Sequence, residues 1–164
     1  MDYELECARE KLCEAAQLKE EADNLPNPGP WKRQWLEMLH NADGTTMLDR
    51  QHEIDTHREE LEARVTELLS GAAGHVRPWL DSLAERGLDR DRIRKRLVRL
   101  MQEGTPSAIR QALAELEALQ HLLDIKDDAL SRIAAARDRI AESVHSASER
   151  YDVDTEIRIQ SWRS

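Results

Sequence analysis

Residues 105–151 read TPSAIRQALAELEALQHLLDIKDDALSRIAAARDRIAESVHSASERY, from Thr105 to Tyr151, and this stretch decides the fold class. Gly104, Thr105 and Pro106 punctuate its start, and no Gly or Pro follows before Ser164. Counting in sevens from Ile109 gives Leu116, Leu123, Leu130, Arg137, Val144 and Tyr151; the three-residue offset gives Ala112, Leu119, Lys126, Ile133, Ile140 and Ala147. An apolar seam repeating every 3.5 residues marks a long helix that lies against other helices. The stripe is broadest between Ala112 and Ala136, where Leu113, Leu122, Ile125 and Ala129 widen it, as expected where a helix meets more than one neighbour. Beyond Arg137 it narrows, and that half is the expected meeting place with another chain.

The rest of the chain has the same character. Charged residues make up 35 % and aromatics only 4 %, with no Phe, and no series of alternating strands is present. An all-α bundle of five to six helices is expected, organised on the long C-terminal helix. Residues 1–24 read as an acidic helix, eight Asp or Glu against three Lys or Arg. Leu25-Pro26-Asn27-Pro28-Gly29-Pro30 is a stiff connector, leaving that helix either to pack on the rest or to swing away. The bundle proper is expected over 31–152, with a tail over 153–164.

Within the bundle, Trp31, Trp35, Met38 and Leu39 share one face of a short helix. Thr45 or Thr46 caps the next, whose seam is Met47, Gln51, Ile54, Arg58, Leu61, Val65 and Leu68. Gly71-Ala72-Ala73-Gly74 is expected to break the chain before a short helix with Pro78 near its start and Gly87 beyond its end. Asp89 caps a helix that buries Ile93, Leu97, Leu100 and Met101. In a chain without Phe, Trp31, Trp35 and Trp79 are expected to fill the core, and Trp162 to serve an interface. In the tail, Val153, Thr155, Ile157 and Ile159 alternate as a strand would, with a frayed helix as an equal alternative.

Net charge −9 argues against nonspecific adhesion to nucleic acid or anionic membrane by the molecule as a whole. No apolar run reaches the roughly 20 residues of a membrane span. Cys7 and Cys13, six apart on one helix, cannot pair within it and suit a reducing cytoplasm.

Few residues suggest chemistry. In His52-Glu53-Ile54-Asp55-Thr56-His57 the histidines are five apart and diverge, whereas a helical zinc site needs them four apart. Asp124, Asp127 and Asp128 share a helix face but supply too few oxygens for a hard cation. No phosphate loop, serine elbow or paired-cysteine pattern occurs, so no catalytic, cofactor or metal residue is assigned and an enzyme is not expected.

The sharpest signal is basic. Residues 90–99 carry a net +5, leaving −14 elsewhere, and Arg92, Lys95, Arg96 and Arg99 line the face opposite Ile93, Leu97 and Leu100. Such a stripe tracks a phosphate backbone or an acidic partner. The alternative is internal, through Asp91–Lys95 and Glu103–Arg99 pairs and cover by the acidic first helix. The spacing from Gly87 to Ile93 to Leu97 is near that of a helix-turn-helix, although Leu83 stands where the crossing wants a small residue. Lys126 and Arg137 interrupt the long seam; they either set register or extend their stems past it.

The functional expectation is a cytoplasmic, non-catalytic interaction or assembly subunit. It would be a homo-oligomer working by helix packing through Ile133, Arg137, Ile140, Val144 and Tyr151, joined by Ile157, Ile159 and Trp162. The alternative is a nucleic-acid-binding subunit using Arg92, Lys95, Arg96 and Arg99.

Overall fold

A computed structural model describes residues 3–163. It is 88 % helical, with five helices and no strand among the described residues, an all-α bundle. In chain order these are α1 (Tyr3–Asn24), α2 (Pro30–Met38), α3 (Met47–Ala84), α4 (Arg90–Glu103) and α5 (Pro106–Arg163). The chain divides into two compact units, residues 1–117 and 118–164, with the division falling inside α5.

The first unit is built on the antiparallel pair α1 and α3. Leu5, Ala8, Leu12, Ala15, Ala16 and Ala22 fall at helical spacing and are all buried. Against them α3 presents Val65, Leu68, Ala72, Val76, Trp79 and Leu83. The direction is visible in the ion pairs, which descend α3 as they climb α1: Glu4–His75 at 2.6 Å, Glu14–Arg64 at 3.5 Å, Lys19–Glu62 at 3.2 Å and Glu21–His57 at 3.7 Å. The first turns of α5 bring Ala108, Ile109, Ala112 and Leu116 into the core. Here too the pairing is antiparallel, Arg9 meeting Glu117 at 2.8 Å and Glu20 meeting Arg110. The acidic charge of α1 is thus answered by α3 and α5. Among the described residues, no ion pair links α1 to the basic helix α4, so α1 is not its cover.

Local signals set the boundaries. Thr46 accepts from the Asp49 N–H at 3.1 Å while Asp49 accepts from the Thr46 N–H at 2.9 Å, a reciprocal cap at the start of α3. Asp89 accepts from the Arg92 N–H at 3.2 Å, and Thr105 Oγ1 from the Ala108 N–H at the same distance. Gly104 ends α4 with φ +66°, a left-handed conformation that glycine adopts without a Cβ penalty.

One expectation about boundaries is corrected, and one pair of open alternatives is decided. Gly71-Ala72-Ala73-Gly74 does not break the chain: α3 runs through it and through Pro78. The small residues serve packing instead. A Cβ on Gly71 would stand 3.2 Å from the Lys11 side chain, so glycine lets α1 approach there. Burial of Val76, Trp79, Leu80 and Leu83 on the face beyond holds the helix together despite the missing Pro78 N–H. The 153–162 segment is helical, as part of α5, which resolves its two readings against the strand.

In the second unit, Leu123 is buried, and from Asp124 to Arg163 every described side chain is exposed.

Candidate interaction surfaces

The second unit exposes Leu122, Ile125, Leu130, Ile133, Ile140, Val144, Tyr151, Val153, Ile157, Ile159 and Trp162. Their order along the helix is informative. Spacings of three, four and four residues select Leu122, Ile125, Ala129, Ile133, Ala136, Ile140, Val144, Ala147, Tyr151, Thr155, Arg158 and Trp162. Ten of these twelve are apolar, whereas the heptad register over the same segment gives seven of twelve. An 11-residue repeat averages about 3.67 residues per turn, so on a helix of about 3.6 its line turns by about 20° in eleven residues, whereas a heptad line turns by about 20° the other way in only seven. The exposed surface is therefore one long stripe of eleven-residue period.

Of the residues expected at an interface, Ile133, Ile140, Val144, Tyr151 and Trp162 lie on this stripe. Arg137 and Ile159 stand beside it, and Ile157 lies off it, about 100° round the helix from Arg158 and about 120° from Tyr151. Arg137 follows Ile133 by four residues and so stands about 40° to one side of it, on the edge of the stripe that lies opposite Ala136. The heptad count read Leu122, Ile125 and Ala129 only as widening the seam and left Ala136 outside it; the three-four-four spacing puts all four on one line.

The basic helix α4 forms the second surface. Arg92, Lys95, Arg96 and Arg99 are all exposed, opposite buried Leu97, Leu100 and Met101. Arg96 pairs with Glu115 of α5 at 2.6 Å, and Arg90 with Asp81 of α3 at 2.7 Å. The expected Asp91–Lys95 and Glu103–Arg99 pairs do not form. Among the described residues, no carboxylate lies within ion-pairing distance of Arg92, Arg94, Lys95 or Arg99. Three of the four stripe cations are therefore open to a partner.

A third surface corrects the tryptophan expectation. Trp79 is 2 % exposed and fills the core, but Trp31 and Trp35 are 73 % and 52 % exposed. They meet edge to face at 5.9 Å between ring centroids, and exposed Met38 and Leu39 continue the patch. On the other side of the short α2, Arg33 pairs with Asp55 of α3 at 2.6 Å, and Arg33 and Leu36 are half-buried.

Beneath that patch lies a polar cluster that explains the odd first half of the α3 seam. Asp55 accepts from Arg33 at 2.6 Å, Gln51 at 3.0 Å and Arg58 at 2.9 Å. Gln51 is 5 % exposed and also donates to the Pro26 carbonyl at 2.8 Å; Arg58 donates to the same carbonyl. The seam is polar there because its opposite number is a proline-rich backbone with carbonyls to satisfy. Arg33 beside Asp55 holds its carboxyl far below the usual carboxylate range, with Gln51 and Arg58 adding to the effect.

His52 and His57 are exposed, and His57 faces Glu21 and Glu60. Asp124 accepts from Gln120 and Asp128 pairs with Arg132, each along its own helix. Among the described residues no group of His, Cys, Asp and Glu could hold a metal ion. Cys7 and Cys13 are unpaired, and no helix is long and apolar enough to cross a membrane. Compared with known proteins, the chain finds no match among family models, curated sequences or solved structures.

Proposed function

We propose that the chain is a non-catalytic assembly subunit that self-associates by packing the Leu122–Trp162 stripe of one copy against that of another. The supporting observation is the stripe itself, twelve exposed positions over some 60 Å of helix at 1.5 Å per residue, ten of them apolar. Monomeric soluble proteins rarely leave so long an apolar surface open to water, because covering it stabilises by about 25 cal/mol per Å². An eleven-residue period favours straight or slightly right-handed packing of the paired helices. The cytoplasmic setting belongs to the same proposal, and the two unpaired cysteines suit it.

Light scattering is expected to give a mass well above the 18.9 kDa of one chain. The double substitution Ile140→Glu, Val144→Glu should return it to the protomer mass, since two like charges per copy would meet in the seam. A strict monomer at millimolar concentration removes the reading. Truncation after Asp152 is expected to weaken association, because it deletes Trp162.

A second reading is favoured by the stripe cations of α4, three of which have no carboxylate within ion-pairing distance among the described residues. Arg92, Lys95 and Arg99, with Arg96, would follow a nucleic-acid backbone, and affinity would fall steeply with salt. Reversing Arg92 and Arg99 to Glu should abolish such binding; no binding by the unaltered protein at low salt ends this reading.

A further inference from the structure

Two hollows of about 640 and 530 Å³ lie between α3 and α4. They share Ala73, Val98 and Met101, so they are two lengths of one groove. On α3 it extends from Glu62 to Leu80, some 27 Å or five turns at 1.5 Å per residue. Its floor is apolar, and Val98 is 38 % exposed within it. Ala73 and Gly74, with no more than a methyl group each, keep α3 from filling the space.

The groove is electrically lopsided. At its Leu80 end stand Arg77, Arg94 and Lys95, all exposed. Among the described residues none of the three has a carboxylate within ion-pairing distance. At its other end are Lys19 and Glu62, already paired at 3.2 Å, and Glu103. We propose that this groove receives an amphipathic helix from a partner protein, apolar on one face and acidic at the end that meets Arg77, Arg94 and Lys95. The length fits about 18 residues of helix, and the apolar floor takes anchors at i, i+4, i+7 and i+11. Nucleic acid would use the cations but would leave the apolar floor without a partner. The exposed stripe of a second copy carries both signs along its flanks, Arg132 pairing with Asp128 at 3.0 Å and Arg137 with Asp138 at 3.6 Å, and so matches the cations less well than a helix with one acidic end. The inference is independent of self-association.

The test uses the full chain and a fluorescein-labelled 18-residue helical peptide with leucines at those four positions and glutamates in one terminal turn. Fluorescence anisotropy should show saturable binding, weakened tenfold or more by Val98→Glu or by Ala73→Leu, which fills the floor. Replacing Arg77, Arg94 and Lys95 together by Ser should weaken it several-fold, as should added salt, with helicity by circular dichroism unchanged in each variant. The Ile140→Glu, Val144→Glu protein should bind the peptide as well as the unaltered one. The proposal is overturned by absence of binding, by binding indifferent to both floor variants, or by binding lost only in the Ile140→Glu, Val144→Glu protein. A duplex oligonucleotide that displaces the peptide and still binds the floor variants would assign the cations to phosphate instead.

Discussion

Asp55 has two roles that depend on its charge: it holds α2 to α3 through Arg33, and it orients Gln51 and Arg58 towards the Pro26 carbonyl. Because its folded-state pKa is depressed, the stability it contributes is complete above its unfolded value of about 3.9 and is lost as pH falls below that value. Asp55→Asn keeps the shape and removes the charge. It should cost about 1 kcal/mol at neutral pH, with the difference from the unaltered protein closing below about pH 4 in urea titrations. A gap that stays constant down to pH 2 would show that charge is not what Asp55 contributes. The tryptophans separate in the same way by burial. Trp79→Ala should cost about 3–5 kcal/mol through the cavity it leaves, whereas Trp31→Ala and Trp35→Ala should each cost under about 1 kcal/mol. Equal losses in thermal unfolding would mean that the α2 face is covered in solution.

At the level of elements, α3 shows what holds a helix when composition argues against it. Gly71, Gly74 and Pro78 lie within eight residues, yet the helix persists because Leu68, Ala72, Val76, Trp79 and Leu83 bury one continuous face. Tertiary burial outweighs a propensity loss of about 1 kcal/mol per glycine. At Gly74 nothing stands within 4 Å of an added Cβ, so Gly74→Ala should raise stability by about 0.5–1 kcal/mol. Gly71→Ala should gain less, since Lys11 must move, and an equal gain at both would show that α1 yields freely there. Much of this architecture was legible: the caps at Thr46, Asp89 and Thr105, the stop at Gly104, and the core face of the long helix as far as Leu123, beyond which Ile125, Leu130 and Ile133, expected within the bundle, are exposed. The continuity of α3, the exposure of Trp31 and the ion-pairing of α1 were not, because each depends on which face meets which neighbour. For the candidate surfaces, composition located the cations of α4 and the apolar tail. It could not reveal the groove, which exists only where two helices stand apart.

For the whole molecule the proposed self-association can take either of two geometries, and the two registers along α5 make opposite demands on single residues. In a heptad seam Arg137 is a buried polar interruption, so Arg137→Leu would tighten the oligomer. On the eleven-residue stripe it is a flank residue, and the same change should leave the association constant within about twofold. Ala136 reverses the comparison: it lies on the stripe and off the heptad seam, so Ala136→Glu should weaken association tenfold or more by placing a charge in a desolvated line of contact. Ile157 supplies the control, since it lies off the stripe and Ile157→Glu should have little effect. Sedimentation equilibrium on the three variants at one ionic strength decides the matter. Tightening by Arg137→Leu together with indifference to Ala136→Glu would restore the heptad and, with it, left-handed coiling. The opposite pattern would fix the stripe as the contact line and its pairing as straight or right-handed.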